Sequence, residues 1–151
     1  AMSSRWALDA HLPSLGVGAD GYPIRPLAAD VWTAQANPAA NVKATVTRPA
    51  AGPRTRNVLT SLTAMVVAGA TAPTATTVTV AVIDGGAGGT TYLWGPHTLG
   101  VPAVAGATNG LCHPPLWIPG APNTPMTMEF SAAAGINTLE SVSMVGETVQ
   151  G

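Results

Sequence analysis

At 151 residues the chain has the length of one ordinary domain and can bury a single core. Only 9% of it is charged and its net charge is −1, so it has no basic field to hold nucleic acid and no acidic tail. No window offers the roughly 18 unbroken apolar residues of a spanning helix, because the longest runs, Ala64–Ala70 and Val78–Ile83, are short. A surface this poor in charge does little to keep copies apart, which implies that other protein covers much of it in the working state. The single cysteine, Cys112, excludes an intrachain disulfide framework and is compatible with assembly in a reducing cytoplasm.

The first 40 residues differ from the rest. The opening "AMSSRWALDAHL" lacks an apolar core of signal-peptide length. Prolines recur at Pro13, Pro23, Pro26 and Pro38, and period-2 patterning is weak. The expectation is an extended N-terminal arm over residues 1–40, followed by a folded domain over 41–151. Trp6, Leu8, Leu12, Leu15, Tyr22, Ile24 and Trp32 make that arm too apolar for a solvated tail, so they are its candidate partner-binding residues. The same residues would also suit an arm that covers its own sheet. The best helix candidate in the chain is Pro26–Asn37, with Pro26 in its first turn and Asn37-Pro38 ending it.

Strand patterns follow. Asn41–Arg48 alternates with Val42, Ala44 and Val46 on one face, and Asn57–Val67 is longer. Thr76–Asp84 sets Val78, Val80 and Val82 against threonines, and Thr90–Gly95 follows a glycine loop. Prolines interrupt Leu111–Gly120, so at most its later part pairs, at an edge. Pro125–Ala133 points Met126, Met128 and Phe130 one way, and Thr138–Val149 closes the chain with Leu139 and Val142 expected inward. With 14 prolines and 17 glycines spread between short strands, the pattern predicts an all-β fold. The expected form is an antiparallel β-sandwich, jelly-roll-like or immunoglobulin-like, behind the N-terminal arm.

The candidate chemistry is thin. "DGGAGGTTYLW" (Asp84–Trp94) resembles a phosphate loop, but no lysine follows Gly89 and the residues after it are β-patterned. The dinucleotide fingerprint also fails, since its third glycine position falls on Thr91 or Ala87 according to the start chosen. A hairpin with glycines at positive φ is the expected structure. His11, His97 and His113 form no metal-binding spacing, and Cys112 and His113 on one strand would face opposite ways. A Cys112–His97 pair by tertiary contact is the one nucleophilic arrangement open, but a small buried hydrophobe is the ordinary reading of Cys112. Glu129 and Glu140 are the carboxylates that adjacent strands could bring together, and both are expected on the solvent side. Trp94 and Trp117 could stack on sugar rings, although tryptophan in a small β-protein is more often core or interface. No catalytic set, cofactor or metal is expected.

The order of short motifs in roughly the last two-thirds of the chain resembles small β-sandwich domains of tailed-phage virions, chiefly head decoration (cement) proteins. The residues that carry the resemblance are Asn57–Ala64, Asp84-Gly85, Leu93-Trp94, Pro115–Thr124, Met126–Ala133 and Leu139–Gly146. The chain departs from the pattern at Gly95–Gly110 and before about residue 55. The resemblance implies a non-enzymatic structural protein on the capsid exterior, assembled in the host cytoplasm. It also implies the major capsid protein as partner and a homotrimer as the working form. A sugar-binding module of a phage tail or fibre is the alternative.

Overall fold

A computed structural model of the chain describes residues 30–70, 74–75, 77–85, 88–97 and 105–150. Every regular element among them is a strand. The strands are β1 (Asp30–Ala36), β2 (Thr45–Arg48), β3 (Thr55–Ala68), β4 (Thr74–Ala75), β5 (Val78–Asp84) and β6 (Thr90–His97). They continue with β7 (Thr108–His113), β8 (Ile118–Pro119), β9 (Met126–Phe130), β10 (Gly135–Ile136) and β11 (Thr138–Gln150).

The fold is an antiparallel β-sandwich. Sheet I has the order β1-β11-β3-β7, with β8 also on β3, and sheet II has the order β2-β9-β5-β6. β4 and β10 form a separate two-stranded pair. Apolar residues at every second position of both sheets meet in one core. Sheet I contributes Leu59, Leu62, Val142 and Met144, and sheet II contributes Val80, Val82, Met128 and Phe130. Each such side chain contributes about 1.5–3 kcal/mol of burial. The two long strands, β3 and β11, pair from Thr138↔Ala68 to Gln150↔Thr55 and form the spine of sheet I. Their ladder carries a bulge at Val145/Gly146. A Cβ on Gly146 would collide with the Trp32 ring at Cζ2, so the bare backbone is what lets the indole lie across this strand.

Several expectations change. Pro26–Asn37 is not a helix over its described part: Asp30–Ala36 is β1, paired with β11 from Asp30↔Thr148 to Ala36↔Val142. Trp32, Ala34 and Ala36 turn inward at period 2, and the pairing with β11 outweighs the helix preference of the alanines. Trp32 is consequently a core residue, 4% exposed, and not an accessible partner contact. The other arm candidates, Trp6, Leu8, Leu12, Leu15, Tyr22 and Ile24, lie outside the described residues. Leu139 points outward at 41% exposure, because residues an odd number apart on a strand cannot share a face and Val142 takes the inward phase. Val42 is exposed because β2 begins only at Thr45. The proline-rich run pairs at both ends: β7 reaches His113, and β8 returns to β3 at Leu59↔Ile118.

Candidate functional site

The glycine-rich stretch forms the predicted hairpin. β5 and β6 pair through to Asp84↔Thr90, with Gly85 at φ 90° and Gly88 at φ 85° in the turn. The Asp84 side chain has a second task. Its Oδ2 accepts the Ala121 N–H at 2.7 Å, and its Oδ1 lies 2.9 Å from the Thr124 hydroxyl. The Gly85 N–H donates to the Pro125 carbonyl at 3.0 Å. The hairpin is thereby fastened to the Gly120–Pro125 loop, and two of the motif segments in the phage resemblance meet in one clasp.

Asn57 on β3 extends the clasp. Its Nδ2 donates to Pro49 O at 2.9 Å and to Thr124 O at 3.4 Å. Its Oδ1 accepts from the Thr148 hydroxyl at 3.3 Å, and its carbonyl accepts the Gly120 N–H at 2.8 Å. Asn57 and Asp84 are both buried, so these bonds satisfy groups that would be costly to bury alone. β1 begins at this same end, where Asp30 pairs with Thr148.

The two open sides of the sandwich are closed differently. Between β1 and β2, Arg48 Nη2 meets Asp30 Oδ2 at 2.7 Å, and the guanidinium carbon sits 5.4 Å from the centre of the Trp32 ring. Both charges keep solvent contact, so the ion pair contributes at most about 1 kcal/mol. Between β6 and β7, Trp94 lies tilted against His113 with ring centres 6.3 Å apart. Tyr92, Trp94, Leu111, Leu116 and Ile118 pack on the core there.

The sequence-derived chemical candidates are dispersed. Cys112 is exposed on β7, 3.8 Å from the Thr63 hydroxyl. Glu129 faces outward on β9 and pairs with Lys43 at 2.9 Å. Glu140 departs from its expected solvent side: it is buried on β11, in the opposite sheet, and its Oε2 accepts the Ala44 N–H at 2.6 Å. Burial pushes the Glu140 carboxyl above the usual carboxylate range, against the opposing pull of the Ala44 and Ala134 amides and the Lys43 charge. Its Oε1 completes no hydrogen bond. The two glutamates thus occupy different environments in different sheets. Among the described residues no three His, Cys, Asp or Glu side chains group to hold a metal ion, and no helix is long and apolar enough to cross a membrane. Trp117 is 58% exposed, whereas Trp94 is partly buried.

The strands also build two unlike outer faces. Sheet II presents Thr45, Thr47 and Thr127, with the Thr47 and Thr127 hydroxyls 2.8 Å apart, beside the Lys43–Glu129 pair. Sheet I carries Gln35, Ser143, Thr63 and Cys112 side by side across its four strands. The clasp was hard to foresee, because a carboxylate before a glycine run reads first as part of a turn. Comparison with protein-family models and with curated proteins gave no match for this chain.

Proposed function

We propose that the chain is a structural decoration protein that binds the outside of an assembled phage capsid and cements neighbouring capsomers. The clasp carries this reading. It fixes the Gly120–Pro125 loop to the β5–β6 hairpin and, through Asn57, to the Pro49 backbone. Loops tied in this way bind without ordering themselves at the moment of contact, which favours docking on a rigid lattice. The apolar residues Trp6, Leu8, Leu12, Leu15, Tyr22 and Ile24 of the expected arm are the proposed further contacts with the partner. The major capsid protein is the proposed partner, on the strength of the motif order from Asn57 to Gly146, and the virion exterior is the proposed location. Contacts of modest strength repeated over a symmetric shell add through avidity.

Co-sedimentation with expanded shells of the phage that carries the chain tests this. Full-length protein should pellet with shells and saturate, and a variant lacking residues 1–29 should bind much more weakly. Absence of binding by the full chain overturns the proposal, and binding unchanged by the deletion removes the arm from it.

The second reading is a sugar-binding module, and the exposed Trp117 ring favours it. Saturable binding on a glycan array that Trp117→Ala abolishes, with folding intact, would select it over the first.

A further inference from the structure

Between β1 and β2 the chain crosses from sheet I to sheet II over residues 37–44, at the end of the sandwich opposite the clasp. This crossing is strapped down by hydrogen bonds. Asn37 Oδ1 accepts the Ser141 hydroxyl at 2.6 Å, and Asn41 Oδ1 accepts the Asn137 N–H at 2.6 Å. The Asn41 N–H donates to the Thr138 carbonyl at 3.1 Å. The Ala44 N–H donates to Glu140 Oε2 at 2.6 Å, and the Ala44 carbonyl accepts the Phe130 N–H at 3.1 Å. Ala44 is thus bonded to β11 in one sheet and to β9 in the other, and the Glu140 side chain spans the gap. Of these fastenings only the Glu140 carboxyl changes its charge with pH.

We propose that Glu140, Lys43 and Glu129 make the 37–44 strap a pH-dependent latch, closed while Glu140 holds a proton and loosened when it ionises. Glu140 is 3% exposed, and its Oε1 completes no hydrogen bond among the described residues. An ionised carboxylate there keeps one charged oxygen away from water and without a partner, and local opening of the strap lets water reach it. The cation that acts on Glu140 is Lys43, and it is shared, with its Nζ 2.9 Å from Glu129 Oε2 on β9. The other neighbouring elements add no charge. The partner of Glu140 on β3 is Val66, and residues 131–137 hold no charged side chain. Asp30 on β1, Arg48 on β2 and Arg56 on β3 lie at the clasp end, and His97 on β6 is two strands away from β9. Burial outweighs the amides and the Lys43 attraction, which sets the direction of the latch. The latch is independent of the decoration reading.

Amide hydrogen exchange of the full chain, read by NMR at the Ala44 N–H and corrected for the intrinsic pH dependence of exchange, tests it. The Ala44 protection factor should fall as the pH rises above the unfolded carboxyl value of about 4.3. One proton is linked to opening, so the fall is at most about tenfold per pH unit and levels off above the folded value. Glu140→Gln should give a profile flat with pH. Asn41→Gly, which removes a neutral fastening at a residue with φ 68°, should lower protection equally at every pH. Two variants that leave Glu140 in place identify the relay. Lys43→Met removes the cation and should move the levelling point to higher pH, whereas Glu129→Gln releases Lys43 from its ion pair and should move it to lower pH. A flat profile in the parent overturns the proposal, as does a pH dependence that survives in Glu140→Gln. Exchange of Ala44 only at the rate of the slowest β3–β11 amides also overturns it, because the opening would then be global. Levelling points that stay fixed, or move the same way, in Lys43→Met and Glu129→Gln remove the relay and overturn it as stated.

Discussion

Asp84 ends β5 with both carboxylate oxygens engaged by one loop, at 2.7 Å from the Ala121 nitrogen and 2.9 Å from the Thr124 hydroxyl. Asp84→Ala strands these donors in a part-buried setting, and should cost about 2–3 kcal/mol in urea unfolding. A loss below about 0.5 kcal/mol, the range of an ordinary surface change, would show that the clasp does not hold the loop. Glu140 works in the opposite sense. Its folded-state pKa is raised by burial, so its contribution to stability is complete in acid, below the unfolded carboxyl value. That contribution is lost as the pH rises through the folded value. Glu140→Gln cannot ionise, so its stability relative to the parent should improve as the pH rises above the unfolded carboxyl value of about 4.3. Denaturation at several pH values checks this, and a difference flat with pH, or one that moves the other way, would contradict it. Neither residue announced its role. A carboxylate alternating with serines reads as solvent-facing, and only the strict period of β11, with Val142 and Met144 inward, places Glu140 among them.

β1 is the element with the greatest consequence for experiment. It supplies Trp32 to the core and covers the edge of β11. Deleting residues 1–38 removes both, whereas deleting 1–29 stops short of the strand. The shorter deletion should keep a single cooperative unfolding transition. The longer one should lose at least about 3–5 kcal/mol, the scale of emptying a buried aromatic site. Thermal unfolding of the two variants side by side checks this, and equal stability would mean that β1 is dispensable. The strand escaped recognition because Ala34 and Ala36 give a faint inward signal and alanine favours helix in isolation. β5 and β9 were readable because valine, methionine and phenylalanine mark the inward phase strongly against threonine. The β5–β6 hairpin was readable because its glycines sit where positive φ is needed.

At the scale of the molecule, the all-β sandwich follows from many short alternating runs and dispersed turn residues, and that much could be read directly. Sheet membership could not. β9 and β11 are near neighbours in sequence yet lie in opposite sheets, while β11 pairs with β1 from the far end of the described chain. Alternation fixes which residues point together on a strand, not which strand lies beside it, and so Glu129 and Glu140 could be expected as neighbours. The most direct test of the decoration proposal is the thermal disassembly of expanded shells, followed by light scattering with and without saturating full-length chain. A cement that bridges capsomers predicts that decorated shells come apart at a higher temperature than bare ones. Disassembly at the same temperature, with the chain bound, would contradict the claim that it holds neighbouring capsomers together.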